Sequence, residues 1–248
     1  MSKFIERLVC KQLVAYLEAN NLLPRYQSAY RRHHSTETAV LKIISDALYA
    51  AEQGEVILLG MLDMSAAFDK VDHDILLGRL QTSFGIGGAA LSWFLSFLRD
   101  RTQTVVINSK RSKTSLVTSG VVPQGSVLGS ILFLLYTADI GLIAEKHGIN
   151  FHSYTDDSEI YVHCKAHGAA VTCSRFVSCI RDIDNWMASN RLKLNPDKTQ
   201  FMVLGSRSQL AKVNCDSIHL GNADLPFSLK VNCLGVILDA ELTMVQHI

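Results

Sequence analysis

The chain has 248 residues, of which 48% are hydrophobic and 19% are charged. This composition predicts a folded protein with a sizeable core and excludes an intrinsically disordered chain. The net charge of +1 at pH 7 indicates no class of partner by itself. The N-terminal stretch reads as a charged amphipathic helix, and the most apolar run is interrupted by Asp139. We therefore expect an intracellular protein, nuclear or cytoplasmic, that is neither secreted nor membrane-spanning.

The first half of the chain is predicted to contain four helices, one strand and a hairpin. Apolar periodicity predicts helices over residues 4–19 and 36–52, the second with Ser35 or Thr36 as its N-cap. The short, continuously apolar run 56–64 predicts a strand buried on both faces, with Asp63 at its end. Two more helices, over residues 73–85 (N-capped by Asp72) and 89–100, are expected before a hairpin over residues 102–120.

The remainder of the chain mixes helices and strands. Residues 125–148 predict one long, buried helix closed by Gly148. A hairpin over residues 151–162 and a helix over about 168–190 follow. Short strands are then expected at residues 191–195, 199–205, 217–221 and 229–238. This order predicts an α+β chain rather than a doubly wound one.

Two adjacent carboxylates, Asp156 and Asp157, lie in the predicted hairpin 151–162. Neighbouring side chains of a regular strand point to opposite faces, but a turn breaks this alternation and lets both acids face one side. Adjacent carboxylates repel each other, and a divalent cation removes that cost. Asp63 offers a third carboxylate, and oxygen ligands of this kind suit Mg²⁺. Taken alone, Asp63 would be more typical of a turn or a helix start.

Five segments occur in a fixed order: LDMSAAFDKVDHDIL, PQGSVLGSILF, YTDD, LKLNPDKTQFMVLG and VNCLGVILDAELT. Upstream of them lie SKFIERLVCKQL and QSAYRRHHSTETAV. With these segments the chain resembles the reverse transcriptase domain of non-LTR (LINE-type) retrotransposons. The resemblance implies a right-hand polymerase palm, built on a ferredoxin-like antiparallel sheet with packed helices, plus partial fingers.

The resemblance also implies a domain organisation. Partial fingers are expected over residues 1–54 and the palm over residues 55–248, with further fingers elements within 75–118. The palm motifs would occupy residues 61–74, 120–133, 151–162, 190–205 and 230–242. The first fingers strand and the thumb are expected to be missing, and a full-length element would also carry an endonuclease domain.

By the resemblance, the chain would transfer a nucleotide from a dNTP to the 3′-hydroxyl of a DNA primer paired with an RNA template. Asp63, Asp156 and Asp157 would bind two Mg²⁺ ions, or Mn²⁺ in their place. Lys198 would act near the leaving pyrophosphate. The resemblance places five further residues around the substrates: Arg31 at the triphosphate, Phe68 under the sugar, Gln124 and Gly125 along the nucleotide and template, and Tyr154 by the primer end.

Several of these residues have simpler explanations. Phe68 could be a core residue, and Gln124 could cap the helix that follows Pro123. Gly125 could serve a turn, and Lys198 could be a solvated turn lysine.

The sequence departs from the family pattern at four places. One extra residue separates Gly120 from Pro123, Thr155 stands in place of a small Ala, Ser130 in place of Pro, and Ala29-Tyr30 in place of Gly-Phe. Two alternatives to an active polymerase stay open: a catalytically inactive, decayed or repurposed nucleic-acid-binding remnant, and another palm-fold enzyme such as a nucleotide cyclase, which shares paired aspartates on a similar sheet.

Overall fold

A computed structural model describes residues 2–64, 67–116, 125–220, 223–245 and 247. Its helices are α1 (Ser2–Ala19), α2 (Thr36–Glu52), α3 (His73–Thr82), α4 (Gly88–Leu98), α5 (Gly129–Tyr136), α6 (Ile140–Lys146), α7 (Ala169–Ser189) and α8 (Arg207–Leu210). Its longer strands are β1 (Glu55–Leu62), β6 (Asn150–Tyr154), β7 (Asp157–Lys165) and β8 (Gln200–Leu204). The shorter ones are β2 (Thr102–Gln103), β3 (Val106–Ile107), β4 (Lys110–Arg111), β5 (Ser115–Leu116), β9 (Ser217–Leu220), β10 (Ala223–Pro226), β11 (Lys230–Cys233) and β12 (Val236–Asp239).

Packing divides the chain into two compact units. The first unit comprises Met1–Pro24, Ala66–Ala138 and Asn190–Leu192, and the second comprises Arg25–Ser65, Asp139–Ser189 and Lys193–Ile248. These units are defined by packing, so the division into fingers and palm stays a prediction about function.

The second unit is built on a four-stranded antiparallel sheet in the order β6-β7-β1-β8. In chain order, the strands of this sheet and the α-helices of the unit that lie between them are β1, α6, β6, β7, α7 and β8. This is the βαββαβ arrangement of a ferredoxin-like fold, in which the first and third strands lie side by side at the centre. The predicted α+β class and the ferredoxin-like antiparallel sheet are therefore confirmed.

Strand β1 is central, and its burial explains its sequence. Val56, Ile57, Leu58 and Leu59 are each at most 3% exposed, so both faces of the strand are covered, as the continuous apolar run predicts. Helix α2 packs on the face that carries Ile57 and Leu59. The predicted N-cap of α2 is confirmed, because the Ser35 Oγ accepts from the Thr38 N–H and the Thr38 Oγ1 accepts from the Ser35 N–H.

The first unit is held by a buried tyrosine. The Tyr136 hydroxyl donates to the carbonyl of Asn190 at 2.6 Å and accepts from the backbone N–H of Asp72 at 3.3 Å. Arg79 lies over the Tyr136 ring and donates to the Asn190 side chain at 3.0 Å. Asp72 also caps α3 as predicted, accepting from the N–H groups of Asp74 and Ile75. These bonds tie α3, α5 and residue 190 together.

The prediction of one long helix over residues 125–148 is wrong. The segment contains two helices, α5 and α6, separated at residues 137–139. The Thr137 hydroxyl donates to the carbonyl of Phe133 at the end of α5. The N–H groups of Leu142 and Ile143 both donate to the carbonyl of Asp139, and a new helix starts there. The apolar composition of residues 125–148 favours helix throughout and does not indicate the break at residues 137–139.

Two strand predictions near the C-terminus also need correction. Residues 191–195 do not form a strand, because only Leu194 pairs, in an isolated bridge with Met64. Residues 229–238 form two strands, β11 and β12, joined by a turn at Leu234-Gly235 in which both residues have positive φ. Gly235 suits such a turn because it lacks a Cβ.

The remaining elements agree with expectation in kind. The hairpin after α4 is present as the pairs β2–β5 and β3–β4, with its tip at Asn108-Ser109. Among the residues that the structure describes, no helix is both long enough and apolar enough to cross a membrane.

Candidate active site

Asp63 follows directly after the central strand β1. The register pairs Leu62 with Ser158, so the next residues, Asp63 and Asp157, follow at the same end of two adjacent strands. The backbone of Asp63 is fixed on both sides, because its carbonyl accepts from the Asn195 N–H at 2.9 Å and its N–H donates to the Thr199 hydroxyl at 3.4 Å. The predicted location of Asp63 at a strand end is confirmed.

The two acids of the YTDD box lie at a tight turn. Tyr154, the last residue of β6, pairs with Asp157, the first residue of β7, so Thr155 and Asp156 form a two-residue connection. Thr155 has φ of 57°, in the left-handed region. Both Asp156 and Asp157 are exposed. The turn thus brings both acids to the end of the sheet where Asp63 lies, as the sequence predicts.

The charges at this end of the sheet disfavour one another. Desolvation and, in decreasing order of importance, the negative charges of Asp156, Glu159 and Asp63 together raise the pKa of Asp157 to about 6. Glu159 lies two residues along β7, on the same face as Asp157. Asp63 and the Asp pair therefore form one electrostatic cluster at this end of the sheet, in which the charge of Asp63 contributes least to the raised pKa of Asp157.

One atom of this cluster is an orphan. The Asp63 Oδ2 is buried and has no hydrogen-bond partner among the described residues. A buried carboxylate oxygen without a donor is costly, and a cation satisfies it. Among the described residues, no group of three or more His, Cys, Asp or Glu side chains is arranged so that it could hold a metal ion. The orphaned oxygen and the raised pKa nevertheless fit a cation at this point.

Lys198 lies on a turn attached to Asp63. Asn195 accepts from the N–H groups of Lys198 and Thr199, and this turn is the one that binds the Asp63 backbone. The Lys198 side chain is exposed and forms no ion pair within the described part of the chain. Its position agrees with both a solvated turn lysine and a group that meets a substrate.

Arg31 and Tyr154 belong to the same compact unit as the acids. Burial lowers the pKa of Arg31, but a guanidinium stays charged at neutral pH. Tyr154 is half-buried beside the turn. Their predicted contacts with the triphosphate and the primer stay predictions.

Phe68 and Gly125 belong to the first unit. The Phe68 ring packs against Phe133 with 4.7 Å between ring centroids. Gly125 has φ of 74°, which a residue with a side chain rarely adopts. Gln124 and the extra residue before Pro123 lie outside the described residues.

Three supporting residues escaped the sequence analysis. Gln27 hydrogen-bonds the backbone of Thr155, and Glu159 lies fully buried beside His152. Glu6, on α1, accepts from the Val127 N–H at 2.8 Å and so holds the segment after Gly125. None of these residues carries a local sequence signal. Gln27 and Glu6 each bind a partner more than a hundred residues away in the chain. Glu159 occupies an ordinary position within strand β7.

Comparison with known proteins identifies the family. Residues 1–238 match the model described as reverse transcriptase (RNA-dependent DNA polymerase). The whole chain is 25% identical to the RNA-directed DNA polymerase from the mobile element jockey of Drosophila melanogaster, and 28% identical to the probable RNA-directed DNA polymerase from transposon BS of the same species. The chain spans 27% of the length of each.

Solved structures give the same fold. Apo telomerase from Candida tropicalis, truncated from its C-terminal domain, superposes with a TM-score of 0.63 at 15% identity over 98% of this chain and 45% of the telomerase. Telomerase from Candida albicans, in complex with a fragment of telomeric RNA, gives 0.57 at 14% identity over 95% of this chain and 38% of that one.

These findings define a protein with the right-hand polymerase fold, as predicted. The chain belongs to the reverse transcriptase (RNA-dependent DNA polymerase) family, and its curated relatives come from non-LTR retrotransposons. Members of this family generally use divalent metal ions. The family match counts against the nucleotide cyclase alternative.

The raised pKa of Asp157 predicts a specific pH dependence of stability. Between about pH 4 and pH 7 the folded chain binds more protons at Asp157 than the unfolded chain does, so this group destabilises the metal-free fold as pH rises. Asp157→Asn should therefore raise the melting temperature at about pH 7.5 in EDTA, and this gain should vanish towards pH 4.

Circular dichroism melts across this pH range provide the measurement. Asp216→Asn, which removes an exposed acid of the same unit outside the cluster, is the matched control and should show no such pH-dependent gain. If Asp157→Asn destabilises the chain at pH 7.5, the repulsion inferred here is contradicted.

Proposed function

We propose that this chain is the reverse transcriptase domain of a LINE-type element, an RNA-directed DNA polymerase. The observation that carries the proposal is the electrostatic cluster of Asp63, Asp156 and Asp157 at one end of the central sheet. In a chain of this family, three acids at a strand end and a hairpin turn suit nucleotidyl transfer. The proposed substrates are an RNA template, a DNA primer and dNTPs.

The proposed cofactor is a pair of Mg²⁺ ions, with Mn²⁺ able to replace them. Asp63, Asp156 and Asp157 would hold them, with the orphaned Asp63 Oδ2 as one ligand atom. When bound, such ions lower the pKa of the primer 3′-hydroxyl and stabilise charge on the attacking and leaving oxygens.

Side chains of the protein would orient the dNTP and neutralise the charge of the leaving pyrophosphate. The primer 3′-hydroxyl loses its proton to solvent, and its oxygen forms a bond to the α-phosphorus of the dNTP while the bond from that phosphorus to pyrophosphate breaks. Lys198, exposed on the turn bound to Asp63, would give a proton or a counter-charge to the pyrophosphate. Arg31 would bind the triphosphate through its planar, permanently charged donors.

Four residues would shape the remaining contacts. Tyr154, beside the YTDD turn, would pack near the primer end. Gln124 and Gly125 would lie along the nucleotide and template, where the glycine allows close backbone approach. Phe68 would exclude a 2′-hydroxyl from the sugar.

Single-nucleotide addition tests this proposal. The chain, mixed with a DNA primer annealed to an RNA template, should add the complementary dNTP when Mg²⁺ or Mn²⁺ is present. The double variant Asp156→Ala, Asp157→Ala should lose at least about 10³-fold in rate because it removes the transition-state charge stabilisation. The measurement is gel-resolved primer extension, with melting curves to confirm that the variant folds.

The outcomes separate the competing functions. Equal addition by the parent and the double variant would remove the acids from the mechanism. If the parent adds no nucleotide with either cation yet still shifts the RNA–DNA duplex on a gel, the chain is a nucleic-acid-binding remnant and the polymerase proposal is overturned.

Sugar discrimination tests the role proposed for Phe68. Phe68→Ala should increase incorporation of a ribonucleotide relative to the matching deoxynucleotide by about ten- to a hundredfold, since it opens space for the 2′-hydroxyl. The measurement is kcat/KM for each nucleotide in single-addition assays.

The control is Phe133→Leu, which disturbs the same ring contact without opening the proposed sugar site. It should leave discrimination unchanged. If both variants alter discrimination equally, or neither does, Phe68 acts through packing alone.

A further inference from the structure

Residues 26–29 form an extra edge next to β6. The Ser28 N–H donates to the Ser153 carbonyl at 2.9 Å, and the Ser153 N–H donates to the Tyr26 carbonyl at 2.9 Å. Gln27 thereby forms a parallel bridge with Ser153. The bridge brings Gln27 to the end of β6, where the YTDD turn begins.

The Gln27 side chain forms three hydrogen bonds, two of them with that turn. Its Oε1 accepts from the Thr155 N–H at 3.0 Å and from the Ala29 N–H at 3.0 Å. Its Nε2 donates to the Thr155 carbonyl at 3.1 Å. Gln27 is only 5% exposed. One planar amide therefore binds both backbone polar groups of the single residue between Tyr154 and Asp156.

Thr155 needs such support because its backbone is strained. Its φ of 57° lies in the left-handed region, which is unfavourable for a β-branched residue. A strained residue keeps its conformation only where its surroundings over-determine it. The Gln27 amide supplies that constraint, and the Thr155 hydroxyl adds a bond to the Tyr154 carbonyl at 2.7 Å.

A side-chain amide of this length can both accept from the Thr155 N–H and donate to the Thr155 carbonyl. A glutamate at position 27 would lose the donor to the Thr155 carbonyl and bring another negative charge towards Asp156 and Asp157. A methionine would keep the length of the side chain and lose all three bonds.

We propose that Gln27 is a positioning residue of the active site: its side-chain amide holds Thr155 in the left-handed conformation that directs Asp156 and Asp157 towards Asp63. This role rests on the proposed nucleotidyl transfer. Gln27 does not touch the reacting atoms and acts through the turn.

The first test measures the turn directly and needs no activity. Amide hydrogen exchange followed by NMR should show a protected Thr155 N–H in the parent chain. Gln27→Met should speed this exchange by at least about tenfold. Gln209→Met, a glutamine of α8 in the same unit, should leave it unchanged. Unchanged Thr155 exchange in Gln27→Met overturns the proposal.

The second test measures catalysis and its rescue. Gln27→Met should lower kcat for single-nucleotide addition by about ten- to a hundredfold, because misplaced catalytic groups lose rate steeply. The KM for the primer–template duplex should stay near the parent value. Adding Thr155→Gly should recover part of kcat, since glycine adopts positive φ without strain.

A merely structural role predicts a different pattern. In that case kcat would follow the folded fraction measured by melting curves, and Thr155→Gly would recover nothing; either result overturns the positioning role. If the parent chain adds no nucleotide, the proposed function is overturned instead. The hydrogen-exchange experiment does not depend on that function, so it still tests the role of Gln27 in the turn.

Discussion

Mutual repulsion among the carboxylates at one end of the central sheet is the constraint around which the second unit is organised. Asp157 is pushed towards its protonated form by desolvation and by three neighbouring acids. Such a cluster opposes folding, so the surrounding elements must hold it in place. The strand β1 does so from a buried position between β7 and β8. Because a one-residue slip would turn every β1 side chain to the other face, the apolar burial of β1 also fixes where Asp63 points.

Buried polar groups near the acids contact one another. Glu159 is fully buried, and its carboxylate contacts the His152 ring at 3.2 Å, which in turn contacts the Ser28 hydroxyl at 2.8 Å. Burial, together with the charge of Glu159, raises the pKa of the nearby Cys233 thiol. Buried polar groups that are mutually satisfied add rigidity and specify one arrangement. The Gln27 side chain binds the YTDD turn through hydrogen bonds to the Thr155 backbone, and the Asn195 N–H and the Thr199 hydroxyl bind the backbone of Asp63.

Much of this site was predictable because its signals are local. The apolar run of β1 ending at Asp63, and the alternation of β6 and β7 interrupted by Asp156, depend on neighbouring residues only. The strain at Thr155 was not visible, although the sequence shows that Thr155 departs from the usual small residue. The hairpin register causes the strain at Thr155. Gln27, which is 128 residues away in the chain, stabilises the strained conformation. Long-range hydrogen bonds of this kind leave no pattern in one sequence.

The errors in the fold have the same origin. The apolar segment 125–148 favours helix throughout, but the chain breaks it at Thr137–Asp139, where the two compact units meet in sequence. In residues 229–238, Gly235 was a turn signal in the sequence. The uninterrupted β-propensity of the segment nevertheless favoured a single strand. The strand predicted at residues 191–195 is absent because only Leu194 pairs, in an isolated bridge with Met64. Local propensity thus predicted the elements well, and tertiary pairing decided where they end.

Asp63, Asp156 and Asp157 together form the proposed divalent cation site. Electron paramagnetic resonance titration of Mn²⁺ measures this most directly, since free Mn²⁺ gives a strong signal that binding diminishes. We expect the parent chain to bind Mn²⁺, Asp63→Asn and Asp157→Asn each to weaken binding by at least about tenfold, and Asp216→Asn to bind as the parent does. If Asp63→Asn binds Mn²⁺ as tightly as the parent, Asp63 is not a ligand and the central claim is contradicted.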